Sequence, residues 1–102
     1  MSVQITPKAD FLVVEFGHDL TIFTVRDCYE ALKKLASMTM EKVILDLSAV
    51  NDFDSSGVQL LLWVMQHHAD KNFTLTHSEN PAVSRVLQLY SLDFGSDPQA
   101  TE

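Results

Sequence analysis

Asp52, Asp54, Ser55, Ser56 and Gly57 place carboxylates, hydroxyls and a glycine within six residues near the middle of the chain. Asp54, Ser55 and Ser56 can each cap a helix, and Ser56 with Gln59 fits a capping box, so the register of the cap stays open. In every register a serine hydroxyl lies beside unpaired N–H groups at the positive dipole end of a helix. There the oxygens of an added phosphate find donors. Nucleophilic catalysis is poorly served, because it needs a positioned base or paired acids in a cleft. Ser55 lacks the Gly-x-Ser-x-Gly elbow, and three glycines in the chain leave little material for a phosphate-cradling loop. His67 and His68 are adjacent, hence about 100° apart on a helix, and cannot chelate as an i, i+4 pair does; His18 and His77 are remote. No catalytic residue, metal ligand or cofactor site is assigned.

The elements that must hold this loop are legible on both sides. Residues 43–47 are a short apolar run rich in β-branched types, which suits a central strand covered on both faces. After Gly57 a helical period begins, with Val58, Leu61, Leu62, Met65 and Ala69 on one face and Gln59, Trp63, Gln66 and Asp70 on the other. Leu60, Trp63 and His67 recur at helical spacing and are predicted to form a partner-binding patch that starts one turn from Ser55. Asp46 is read as a strand carboxylate beside a loop hydrogen-bond donor.

Earlier in the chain, Val3 and Ile5 alternate with polar neighbours and residues 11–16 are denser in apolar types, a hairpin pattern. Thr24 and Asp27 resemble a capping box, and Val25, Cys28, Leu32 and Leu35 repeat at helical spacing through residue 36. Later, residues 73–76 alternate as a strand. Asn80 is a good cap, Pro81 sits at the first helical position, and Val83, Val86, Leu87 and Tyr90 form a core face. The order β-β-α-β-α-β-α predicts an α/β fold, a small mixed, partly parallel sheet with helices packed on it.

Composition narrows the function. The chain has 102 residues, 46% hydrophobic and 21% charged, which suits one globular domain and not a disordered segment. A formal charge of −7 with only seven Lys and Arg argues against nucleic acid and anionic membrane as partners. Cys28 is the only cysteine, so no intrachain disulfide forms. No stretch approaches the ~20 apolar residues of a membrane span, and residues 1–10 lack a signal-peptide pattern. A cytoplasmic protein is the expectation.

Asp46-Leu47-Ser48-Ala49-Val50, Phe53-Asp54-Ser55-Ser56-Gly57 and Leu60-Leu61 together resemble the signature of STAS domains, shared by anti-sigma factor antagonists and sulfate transporters. The glycine-led loop 17–24 and Asn80-Pro81-Ala82-Val83 agree with it. The resemblance implies a single STAS domain over 1–102, its core about 10–92 and a polar tail at 93–102, shorter than the family's usual C-terminus. It implies Ser55 as phosphoacceptor in a non-catalytic switch, with Asp52, Asp54, Ser56 and Gly57 as the surrounding loop. The implied partners are an anti-sigma factor or serine kinase with a histidine-kinase-like ATP fold, and a metal-dependent serine phosphatase. Two alternatives share the motif. The short polar end also resembles the small STAS subunit of lipid-transport ABC systems, which binds a transporter ATPase. Leu20-Thr21-Ile22 and the run from Gly57 to Leu62 resemble STAS proteins of chemotaxis clusters.

Electrostatics makes a phosphoserine switch workable. The phosphate brings about −1.5 to −2 charge beside Asp52 and Asp54. At an effective dielectric near 20, each unit-charge repulsion at ~6 Å costs about 3 kcal/mol before salt screening, against about 0.3–1 kcal/mol returned by the helix dipole. Repulsion wins locally where the carboxylates point towards the phosphate.

Overall fold

Four strands form the main sheet of the computed structural model, which describes residues 3–90. β1 (Val3–Pro7) and β2 (Leu12–Phe16) are the expected hairpin, antiparallel with Val3 opposite Phe16. β4 (Lys42–Asp46) pairs parallel with β2, and β6 (Asn72–Thr76) pairs parallel with β4, giving the order β1-β2-β4-β6. β3 (Asp19–Leu20) and β5 (Asp52–Phe53) form a separate two-residue parallel ladder. Two-residue strands carry no periodicity, so neither was visible in the sequence.

Alternation along the strands decides which face is buried. Leu12, Val14, Phe16, Val43, Leu45, Leu47 and Leu75 join one core with Cys28, Leu32, Val58, Leu61, Val64 and Val83 from the helices. On the other face Val13, Ile44 and Thr76 are half-buried and Glu15 and Thr74 exposed. The sequence expectation that residues 43–47 are covered on both faces is therefore corrected: among the described residues β4 is fully buried on one side only. Its apolar run is a strand of alternating depth, which a window of five residues does not distinguish from a two-sided one.

Three helices pack on the buried face. α1 (Val25–Leu32) is shorter than the expected 25–36, because the chain winds on as a 3₁₀ segment, Lys33–Ser37. Thr24 is its cap position but makes no side-chain cap bond; the Thr24 hydroxyl donates to the Asp19 carbonyl at 2.8 Å instead. α2 (Ser55–His67) buries Val58, Leu60, Leu61 and Val64. α3 (Pro81–Leu89) starts as predicted, with Asn80 accepting from Ala82 N–H and Pro81 in the first turn. Val83 and Leu87 reach the core, whereas Tyr90 lies past the end of α3 and is 49% exposed, so it leaves the predicted core face. The expected tail 93–102 lies outside the described residues.

Two buried polar residues after α2 join its end to the rest. Lys71 is 8% exposed and its ammonium donates to the carbonyls of Met38 and Met40 at 2.7 and 2.8 Å. His68 is 2% exposed, and its Nε2 lies 3.0 Å from the Leu32 carbonyl, where α1 gives way to the 3₁₀ segment. A carbonyl only accepts, so Nε2 carries the proton. Burial, with help from the neighbouring His67, holds the His68 pKa below the ordinary histidine value of 6.5. The unfolded chain thus binds a proton at a pH where the folded chain does not. Stability from this residue is complete above about pH 6.5 and is lost as pH falls towards the folded-state pKa. Urea midpoints measured from pH 8 down to pH 5 should fall below pH 6.5, and His68→Gln should flatten that fall; an equal slope in both proteins would remove His68 as the cause.

Candidate functional site

The loops that follow β2, β4 and β6 leave the sheet at one end, because these three strands run parallel. Open parallel sheets place their sites at this end. Residues 17–24, 47–54 and 77–80 meet there and set the start of α2.

Asp54 settles the capping register. It is extended, at φ −132° and ψ −170°, and its Oδ1 accepts from Ser56 N–H at 2.8 Å and Gly57 N–H at 3.3 Å. Neither serine serves as the cap. Ser55, the first residue of α2, is thereby left exposed, with Ser56 half-buried beside it. The second carboxylate oxygen of Asp54 accepts from Ile22 N–H at 3.2 Å, across 32 residues of chain. One side chain therefore caps α2 and fastens the loop before α1 to it.

Gly57 is required for close approach. A Cβ there would lie 2.6 Å from Phe53 Cε1 and 2.7 Å from the Leu20 carbonyl oxygen. Phe53 and Leu20 face each other in the β3–β5 ladder, so the ladder and the first turn of α2 pack through this glycine. The ladder also sets Asp19 opposite Asp52.

Asn80 braces the loop from the far side. Its Nδ2 donates to the carbonyls of Val50 at 2.7 Å and Leu47 at 3.1 Å while its Oδ1 caps α3. Sequence spacing revealed only the cap, since the partners lie about thirty residues away. The backbone N–H groups of Asn51 and Asp52 both donate to the His18 carbonyl, at 2.7 and 3.0 Å. Asp46 closes the base: it accepts from Ser48 N–H at 3.0 Å and pairs with His77 at 3.1 Å. Burial raises its pKa, but the Ser48 bonds and His77 outweigh that and hold it below the ordinary aspartate value. The Asp46 expectation of a loop donor is thus met structurally, and His77, at φ 65°, takes the turn conformation that follows β6.

The predicted patch of Leu60, Trp63 and His67 needs correction. Leu60 is fully buried in the core and offers no surface. Trp63 is half-buried, edge-on to Tyr29 of α1 with ring centroids at 4.9 Å and stacked on His67 at 4.6 Å. α2 packs on α1 as well as on the sheet, so its buried arc is wider than one stripe. His67 alone of the three is exposed. Sequence reasoning missed Ile22 and Phe23, which are 66% and 89% exposed at the site. They fall inside the loop 17–24 that the sequence places before α1, and nothing in their spacing marks them as exposed.

Asp19, Thr21, Phe23, Asp52, Phe53 and Asp54 line a depression of about 370 Å³ at this end. Among the described residues no group of three or more metal-ligating side chains occurs, and no helix is long and apolar enough to cross a membrane.

A mixed sheet with helices on one face, and an Asp-Ser-Ser-Gly joint opening the central helix, define a STAS domain. The family description "Mlab, STAS domain" matches residues 1–94, and the chain belongs to the STAS family. Among solved structures it is similar to an anti-sigma factor antagonist from Mycobacterium paratuberculosis, with a TM-score of 0.76 at 20% identity over 89% of this chain and 78% of that one. It is also similar to an anti-sigma-factor antagonist (STAS) domain protein from Planctomyces limnophilus, with a TM-score of 0.69 at 28% identity over 85% and 79%.

Asp54→Ala should cost about 1–2 kcal/mol in urea unfolding through loss of the cap, and Asp54→Asn should recover most of it. Gly57→Ala should cost about 1–3 kcal/mol through overpacking against Phe53 and the Leu20 backbone. A neutral Gly57→Ala would show that the first turn of α2 shifts freely.

Proposed function

We propose that this chain is a non-catalytic partner switch of the anti-sigma factor antagonist type, governed by phosphorylation of Ser55. The observation that carries the reading is the division of labour at the start of α2. Asp54 makes the cap bonds, so the exposed Ser55 hydroxyl is not needed to hold the helix. A capping serine would be withheld from a kinase by its bonds to the backbone; this one is presented.

The unmodified protein would bind an anti-sigma factor or related regulator with a histidine-kinase-like ATP fold through the surface around Ser55. The two antagonist structures similar to it support an anti-sigma factor as the partner. Phosphorylation by such a kinase places about two negative charges next to Asp52 and Asp54 and breaks the contact; a serine phosphatase restores it. Ser56, Asp52, Asp54 and Gly57 shape the loop, whereas His67 closes α2 at its far end, away from Ser55.

A second reading has support of its own. The matching family description is that of Mlab, which favours the resemblance to the small STAS subunit of lipid-transport ABC systems. The protein would then be a constitutive subunit that binds a transporter ATPase, with Ser55 a contact residue.

Intact mass and peptide mapping of protein from its native cells under two growth conditions separate the readings. A condition-dependent phosphate on Ser55 supports the switch, whereas unmodified protein recovered with a membrane ATPase supports the subunit. In the switch reading, Ser55→Asp should weaken partner binding by about tenfold or more, equivalent to about 1.4 kcal/mol, and Ser55→Ala should bind constitutively. Equal binding by the two variants would remove Ser55 from the control of binding.

A further inference from the structure

We infer that Ile22 and Phe23 are the anchor of the partner-binding face, and that they fit a protein surface presenting an arginine or lysine beside an apolar pocket. The inference rests on the reading that partners bind at the Ser55 end of the domain, and it does not require Ser55 to be phosphorylated.

The first observation is exposure of a kind that folding does not explain. Ile22 and Phe23 are consecutive large apolar residues, 66% and 89% exposed, whereas the large apolar side chains Leu20, Leu47, Val50 and Phe53 at this end are buried. The second is that their loop is held in place. Thr24 Oγ1 accepts from Thr21 N–H at 3.1 Å and donates to the Asp19 carbonyl, Phe23 N–H donates to Thr21 Oγ1 at 3.3 Å, and Ile22 N–H donates to Asp54. An apolar tip fixed before binding loses little conformational entropy on binding, which is what a good anchor requires.

Charge selects the occupant. The depression beside Phe23 carries the carboxylates of Asp19, Asp52 and Asp54, with no basic residue in its lining. A cationic side chain entering it meets an acidic lining, in which Asp54 is already bonded to backbone N–H groups, while its stem, or a guanidinium plane, lies along the Phe23 ring. The same carboxylates oppose the other occupants. A second copy would bring like charges together, and an anionic lipid surface would be repelled while Phe23 inserted.

The test places the photoreactive analogue p-benzoylphenylalanine at position 23 in the full-length chain in its native cells, with the same group at exposed Arg85 as control. The expected result is one protein captured through position 23 and not through 85, cross-linked at a peptide in which Arg or Lys adjoins apolar residues. With that partner purified, Phe23→Ala should weaken binding by about tenfold or more. Asp52→Asn should weaken it several-fold, with an effect that shrinks as salt is raised. Both positions are surface sites, and an unchanged circular dichroism spectrum excludes misfolding. Cross-links to lipid only, to a second copy only, or to an acidic or purely apolar surface would overturn the inference, as would full affinity in Phe23→Ala. Ser55→Asp keeps the two claims apart. If it binds the captured partner normally, the phosphoserine switch fails and the anchor stands; if it loses the partner while Phe23→Ala keeps it, the reverse holds.

Discussion

Everything at the working end of this domain depends on the carboxylate of Asp54. One oxygen satisfies two of the N–H groups that every helix leaves unpaired at its start. The other takes an N–H from the loop before α1. A single side chain thus sets where α2 begins and where Ile22 and Phe23 stand relative to it. Because the cap comes from the residue before the first helical turn, the two serines that follow keep their hydroxyls for other uses.

Around that clamp the fold is built to hold three loops still. Parallel pairing of β2, β4 and β6 brings the loops out at one end, and the short β3–β5 ladder ties two of them together. Asn80 ties in the third through two carbonyls while capping its own helix. Gly57 lets the ladder sit directly on the first turn of α2. Loops usually move more than the elements they join; here backbone carbonyls and side-chain amides cross-brace them. The opposite end of the domain is secured differently, by His68 donating to the Leu32 carbonyl at the end of α1 and Lys71 to the carbonyls of Met38 and Met40 after the 3₁₀ segment.

The charge distribution gives this end its character. Asp19, Asp52 and Asp54 are held close by the ladder and the cap, and a net charge of −7 leaves the domain as a whole acidic. A phosphate added to a surface lined by these aspartates would join existing charges at short range instead of standing alone in solvent. The exposed apolar tip beside them supplies area, and the acids supply selectivity for what may cover it.

The sequence by itself determined the parts governed by local periodicity and local chemistry. These are the β1–β2 hairpin, the strand into Asp46, the helix after Gly57, the Asn80–Pro81 start of α3, and a STAS signature centred on Asp-Ser-Ser-Gly. It left open which of three residues caps α2, and it put Leu60 on the surface and Tyr90 in the core. Those answers belong to the tertiary structure, because they turn on contacts between distant segments. Asp54 wins the cap in the fold in which it also reaches Ile22; Leu60 is buried because α2 meets α1 as well as the sheet. A linear reading places Ile22 and Phe23 in the loop 17–24 and gives them no role. Their exposure follows from where the β3–β5 ladder and the Asp54 bond hold the backbone, and no periodicity of two or 3.6 residues encodes that.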